Sequence, residues 1–233
     1  MKTAAVVLAG GQGKRMNSQV QKQYMTLGGN PLITYSLKAF EHSQIDEIVL
    51  VVSPGRIEYC QKHIINAYGF SKVKKIVEGG KERYDSVYEG LKVLEDCDYV
   101  LIHDGARPFV NRGIIDRALA GALDCGACVI GMPSKDTIKL SDEEGFAKET
   151  PKRSQCWTIQ TPQAFAYPII REAYDKMFAP GSVREGVTDD AMVVETMLGK
   201  KVKLIEGEYA NIKITTPEDM ALAEALLHWK MVR

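Results

Sequence analysis

The residues with the most chemistry in this 233-residue chain lie in one early stretch, Leu8-Ala9-Gly10-Gly11-Gln12-Gly13-Lys14-Arg15-Met16. Its glycines let a backbone turn sharply and come close to a ligand. Successive N–H groups in such a turn form an anion-binding concavity. Lys14, Arg15 and, further on, Lys22 place positive charge beside it. Together these features read as a nucleoside triphosphate site. The dinucleotide fingerprint fails, because Met16 stands where its last glycine belongs, and the Walker A loop fails because Arg15 follows Lys14 instead of Ser or Thr. Taken alone, the loop also fits a plain glycine-rich turn with basic surface residues.

A second glycine turn, Gly79-Gly80-Lys81-Glu82-Arg83, follows an apolar run at Val73 to Val77. Gly80 leaves room for a base or ribose. Ser86 offers a hydroxyl, or serves only as a first-turn helix residue. Asp104 ends the fourth apolar run of the chain, Tyr99-Val100-Leu101-Ile102-His103. An acid at a strand end beside a phosphate loop suits Mg²⁺, which takes one or two carboxylates together with phosphate oxygens and water. Arg107 is placed either to clamp a second phosphate bidentately or to close the turn by pairing with Asp104; the two roles are compatible.

These side chains need a scaffold that brings strand ends together. Ala4 to Leu8, Ile48 to Val52, Val73 to Val77, Tyr99 to His103 and Ala127 to Met132 are short apolar runs, as expected of strands buried on both faces of a mostly parallel sheet. Helical patterns lie between them, over 32–41, 56–67, 86–94 and 114–123, so the chain predicts an α/β fold of Rossmann-like character. Pro31, after the Gly-Gly-Asn turn, suits the first turn of a helix. Beyond Pro133 the pattern changes. Asp136 to Leu140 alternates, Ser141 to Gly145 is a turn, and Phe146 to Thr150 reads as a return strand. Residues 136–156 therefore predict a protruding β-hairpin arm within a single domain over 1–233. Trp157 to Gln160 re-enters the body, and Thr161 to Phe165 leads into a helix near 168–177. Thr188-Asp189-Asp190 caps a helix ended by Gly199, Val202 to Ile205 forms a strand, and Thr216-Pro217-Glu218-Asp219 opens the last helix.

Thirty basic and thirty acidic residues give a formal net charge of zero, so whole-molecule charge offers no case for a nucleic-acid partner. No apolar run approaches the roughly 20 residues of a membrane helix, and the first run is too short for a secretory signal. The expected location is cytoplasmic, with no membrane partner. Cys125 and Cys128 have C-x-x-C spacing, but no second pair accompanies them and the four histidines are scattered. They read as small buried residues at a helix-to-strand junction.

The loop at Leu8 to Met16 resembles the signature of nucleotidyltransferases that activate sugar phosphates. The resemblance narrows with Lys22-Gln23-Tyr24, Gly79-Gly80-x-x-Arg83-x-x-Ser86-Val87, His103 to Phe109, Asp136 to Lys139, Gln160 to Phe165, Thr188 to Ala191 and Asn211-Ile212-Lys213-Ile214-Thr215. In order and spacing these are similar to the 2-C-methyl-D-erythritol 4-phosphate cytidylyltransferases over nearly the whole chain. That resemblance implies cytidylyl transfer from CTP to a sugar-alcohol phosphate, with release of pyrophosphate, on the non-mevalonate route to isoprenoids.

The resemblance also implies roles. Arg15, Lys22 and Lys213 would be catalytic. Ala9, Gly10, Gly11, Gly13, Gly80, Ser86, Asp104 and Gly105 would bind CTP, and Asp104 would hold Mg²⁺. Arg107, Arg153, Thr161 and Thr188 would bind the acceptor. The arm would make a homodimer and carry Arg153 toward a partner's site. Two positions depart from the family pattern: Gly10 stands where Ala is frequent, a form shared with ribitol phosphate cytidylyltransferases, and Lys81 stands where an acid is frequent. The alternatives left are a ribitol-5-phosphate cytidylyltransferase and, in another class, a CTP-binding sensor.

Overall fold

The computed structural model describes residues 1–11, 16, 20–182 and 184–232, the side chains of 230–232 excepted. The strands are β1 (Thr3–Ala9), β2 (Thr26–Leu27), β3 (Asn30–Pro31), β4 (Glu47–Val52), β5 (Val73–Glu78), β6 (Tyr99–Asp104), β7 (Ala127–Pro133), β8 (Leu140–Ser141), β9 (Ala147–Glu149), β10 (Trp157–Ala166) and β11 (Lys203–Glu206). The helices are α1 (Leu32–Glu41), α2 (Ile57–Cys60, continued by π-helical Gln61–Asn66), α3 (Arg83–Lys92), α4 (Arg112–Cys125), α5 (Tyr167–Phe178), α6 (Asp190–Leu198) and α7 (Pro217–Val232).

Seven strands form one sheet in the order β11-β7-β10-β6-β1-β4-β5, parallel except for β10, which runs antiparallel to both neighbours. Alternation along β1 shows why its sequence is apolar throughout. Ala5, Val7 and Ala9 pack with Leu37 and Phe40 of α1 and Ile114, Ile115 and Ala118 of α4. Ala4 and Val6 point the other way, onto Val87 and Leu91 of α3, Ile170 and Tyr174 of α5, and Val193 of α6. Each large side chain so buried contributes roughly 1.5–3 kcal/mol. A third cluster, with Leu27, Leu32, Phe109, Ile214 and Ala223, joins α7 to the β2–β3 turn. Among the described residues no helix is long and apolar enough to cross a membrane.

Several local expectations need correction. Pro31 is the N-cap of α1 and pairs in β3, one residue before the helix it was expected to begin. The helix over 56–67 is one α turn followed by π-helix. The arm is a hairpin, but a short one: only β8 and β9 pair, and Asp136 to Lys139 lie outside any strand. Thr161 to Phe165 leads into α5 as expected, but as strand and not as a loop. It is the middle of β10, a central strand, with a register shift between Ile159 and Gln163 that accommodates Pro162. Cys128 is buried, with its thiol pushed up to about 12 by burial, but Cys125 at the end of α4 is exposed.

Candidate active site

From β1 the chain moves outward to β4 and β5, then returns to the opposite side of β1 as β6. Strand order therefore reverses between β1 and β6, and open α/β sheets place a ligand crevice beyond the strand ends at such a reversal. A cleft of about 720 Å³ lies there, within the size range of small-molecule sites. It is lined by Ala9, Gly10, Gly11, Gln21, Lys22, Gln23, Ser53, Gly79, Gly80, Lys81, Arg83, Ser86, Asp104 and Lys213, among others.

The first wall is the end of β1. Gln23 Nε2 donates to the Ala9 carbonyl, and Ser53 Oγ donates to the Gly10 carbonyl at 2.9 Å. Tying both carbonyls to side chains fixes the peptide planes at the entrance to the glycine loop. Lys22 sits on a 3₁₀ turn, Lys22–Tyr24, with Nζ 3.1 Å from the Ile214 carbonyl. The sequence thus brings Ala9, Gly10, Gly11 and Lys22 to one cleft. Gly13 and Arg15, also assigned to it, lie outside the described residues.

The second wall is the start of α3. Glu82 and Asp85 form a reciprocal capping box, and Asp85 accepts from the Glu82 N–H at 2.9 Å. A Cβ at Gly79 would stand 2.5 Å from Ser86 Oγ, and one at Gly80 would overlap Asp85 Cβ. These glycines let the β5–α3 turn lie flat against the helix start. Ser86 is buried, and its hydroxyl donates to Glu82 O at 3.3 Å, so the helix-residue role is realised at a position that also lines the cleft.

The third wall carries the charges. Asp104 ends β6, with Oδ1 3.1 Å from Arg83 Nε and Oδ2 2.7 Å from Lys213 Nζ. Burial alone would raise its pKa. The charges of Arg83, Lys213 and Arg107 outweigh burial and hold the carboxyl well below the ordinary range. Arg83 turns its fork away from the cleft onto Asp190, at 2.9 and 2.8 Å. Asp190 is fully buried, receives the Tyr174 hydroxyl at 2.6 Å, and begins α6. Gln163 Oε1 accepts from the Asp190 and Ala191 N–H groups, both at 3.0 Å.

Sequence reasoning gave Arg83 no function and read Asp190 as part of a helix cap. The cap is Asp189, whose side chain accepts from Met192 N, while Asp190 turns inward. The available signal was the Asp-Asp pair itself, since one acid suffices for a cap.

Five assigned residues do not line the cleft. The Gly105 N–H donates to Leu8 O at 2.9 Å, and a Cβ there would overlap Ile33. Thr161 Oγ1 accepts from the Asp104 N–H at 3.0 Å and bonds His103 Nδ1 at 3.0 Å. Arg107 is buried, donating to Asn211 O at 2.8 Å and Ile159 O at 3.3 Å. Thr161 and Arg107 therefore brace the Asp104 turn. Arg153 is exposed at the arm's return, and Thr188 is exposed just before α6.

A mostly parallel sheet, Gly10 and Gly11 at its switch point and an acid–lysine pair lining the same cleft fit a nucleotide-using α/β enzyme of the nucleotidyltransferase class. The comparisons agree. The family model for 2-C-methyl-D-erythritol 4-phosphate cytidylyltransferase matches residues 3–229. Two curated proteins of that name are 51% identical to the chain. The one from Lachnoclostridium phytofermentans aligns over 97% of this chain and 96% of its own, and the one from Lachnospira eligens over 96% and 98%. The crystal structure of the 4-diphosphocytidyl-2C-methyl-D-erythritol synthase from Anaerococcus prevotii is 35% identical, with a TM-score of 0.86, over 97% of this chain and 96% of that one. The chain belongs to the 2-C-methyl-D-erythritol 4-phosphate cytidylyltransferase family, enzymes of isoprenoid synthesis that transfer the cytidylyl group of CTP.

Proposed function

We propose that the chain carries out this transfer in the β1–β6 cleft. The acceptor is 2-C-methyl-D-erythritol 4-phosphate. Its phosphate oxygen attacks the α-phosphorus of CTP, the bond to the β-phosphate oxygen breaks, and pyrophosphate leaves with 4-diphosphocytidyl-2-C-methyl-D-erythritol as product. A phosphate monoester is already anionic, so no strong base is required. The barrier lies in bringing two anions together and stabilising charge around phosphorus, which is work for positioning and fixed cations.

The observation that carries this reading is the Lys213–Asp104 pair, which lines the same cleft as the end of β1. A site that only senses CTP has no need of a second cation opposite its phosphate loop. Ala9, Gly10, Gly11 and Gly13 cradle the triphosphate. Arg15 and Lys22 stabilise the α-phosphoryl group and the departing pyrophosphate, and Lys213 approaches from the other side. Gly80 and Ser86 meet the cytidine. Arg107, Thr161, Arg153 and Thr188 serve the acceptor, the first two by bracing the Asp104 turn.

Mg²⁺ fits the residues present. Of the two carboxylates lining the cleft, Glu82 caps α3, and Asp104, whose oxygens already receive Arg83 and Lys213, would hold the ion through bound water, with phosphates supplying further oxygens. When bound, the ion neutralises phosphate charge. Phe146 and Leu140, 69% and 46% exposed on the arm, support a homodimer formed through residues 136–156.

The test is pyrophosphate release from CTP and Mg²⁺ with methylerythritol phosphate or ribitol phosphate offered separately. Release with the first alone is expected. Release with the second alone moves the error to the acceptor side and leaves the CTP site standing. CTP binding without release supports the sensor instead.

A further inference from the structure

Four charges alternate in sign from the interior to the cleft: Asp190, Arg83, Asp104 and Lys213. The row runs from a buried end to a half-exposed one. The Asp190 side chain is fully buried, whereas that of Lys213 is 37% exposed. Arg83 is the joint. Its two terminal nitrogens are both committed to Asp190, in the planar bidentate geometry that fixes a guanidinium most firmly. Its Nε holds Asp104 Oδ1, so all three nitrogens already serve carboxylates. Asp190 is itself fixed from outside the cleft by the Tyr174 hydroxyl and, through its backbone, by Gln163.

We propose that Arg83 is a positioning residue: clamped by Asp190 and Tyr174, it sets the Asp104 carboxylate so that Oδ2 presents Lys213 to the reacting phosphate. Arg83 acts through Asp104 and not as a ligand of the nucleotide, although it lines the cleft. The geometry favours this over a phosphate clamp. An arginine that grips phosphate bidentately offers a pair of parallel N–H groups, and here the terminal pair is taken by a buried carboxylate and Nε by Asp104. Helix α6 and β10, remote in sequence from the glycine loop, thereby enter the chemistry by holding one oxygen in place.

This inference rests on the transferase reading, and the experiment separates the two. Pyrophosphate release by the wild-type enzyme with CTP, Mg²⁺ and methylerythritol phosphate is measured first, and its absence defeats the reading before any variant is examined. The variants are Tyr174→Phe and Asp190→Asn, which alter the clamp at residues that do not line the cleft. Affinity for Mg²⁺–CTP is measured by calorimetry beside kcat. Tyr174→Phe is expected to lower kcat by about two- to ten-fold, the worth of one hydrogen bond, with CTP affinity unchanged. Asp190→Asn is expected to cost about ten- to a hundred-fold in kcat, in the manner of other groups that orient a reacting ligand from behind.

The distinguishing measurement is the double variant Tyr174→Phe/Lys213→Ala. If the row acts as one unit, Tyr174→Phe has no further effect once Lys213 is gone. Equal losses in both backgrounds, an unchanged kcat in Tyr174→Phe, or a loss confined to CTP affinity would each overturn the proposal. If Asp190→Asn does not fold, Tyr174→Phe decides alone, since it keeps the ring that stacks near Tyr88 and Phe178.

Discussion

Lys213 and Asp104 stand 2.7 Å apart, although 109 positions separate them in the chain. One ends a central strand, and the other lies on the extended segment before the last helix. The Ile214 N–H donates to Ala106 O at 2.9 Å, which pins that segment against the Asp104 turn. Lysine thus arrives at the cleft held by a backbone bond next door and a carboxylate in front. Replacing it by alanine removes the cation and leaves the backbone bond in place.

Lys213→Ala is therefore expected to lower kcat far more than it weakens CTP binding. Loss of one such electrostatic donor costs on the order of a hundred- to a thousand-fold in rate. Steady-state kinetics with calorimetry decides it. A change in KM alone would make Lys213 a binding residue.

His103 predicts a pH dependence of stability. It is fully buried on β6, and burial drives its pKa down from 6.5 to about 3. Between those values the unfolded chain binds a proton that the folded chain refuses. The stability present above pH 6.5 is thus lost as pH falls toward 3, with a slope of up to about 1.4 kcal/mol per pH unit from this residue. Urea midpoints between pH 4.5 and 7 should fall in the wild type and fall less steeply in His103→Gln. Staying above pH 4.5 keeps Asp104, whose depressed pKa acts below 3.8, out of the comparison. Equal slopes in the two proteins would refute the assignment.

The two glycine turns should respond oppositely to alanine. At Gly10 a Cβ would meet Val52 O at 3.5 Å and Ser86 Oγ at 3.6 Å, ordinary contact distances, and the backbone there is not left-handed. Gly10→Ala should stabilise by roughly 0.4–1 kcal/mol, through a less flexible unfolded chain. At Gly80 the added carbon overlaps Asp85 Cβ, which cannot swing away, so Gly80→Ala should cost about 1–3 kcal/mol. Thermal melts of both variants check the pair.

Arg153 on the arm's return is expected to serve a partner subunit's site. Mixing Arg153→Ala chains with Arg15→Ala chains should then restore part of the activity that each variant alone lacks. A confirmed mixed dimer with no recovered activity would place Arg153 in its own chain's site or in none.

Most of the sheet was legible because its signals are local. The apolar runs of β1, β4, β5, β6 and β7 fall where the strands are, and α1 spans the 32–41 pattern. Asp104 was found from its place at a strand end, a position the parallel fold turns toward the crevice. What could not be read was long-range. Pro162 argues locally against a central strand, yet β10 takes it into a bulge and uses the adjacent Thr161 to hold His103 and the Asp104 N–H. Arg83 and Asp190 lie 107 positions apart, and no periodicity announces that they meet. Adjacent acids at a helix start both look like caps, and only packing decides that Asp190 goes inside.

The single reversed strand has a consequence for how such an enzyme is built. Because β10 runs against β7, the chain leaves β7 at Pro133 and re-enters at Trp157 on the same rim of the sheet, joined there by the Ser134 N–H to Cys156 O bond at 2.8 Å. No crossover helix is needed to close that excursion. The 134–156 segment is thus a detachable module mounted on the working rim: its length and sequence can be exchanged without disturbing strand order. Changes in that segment leave the framework of the nucleotide half of the domain in place.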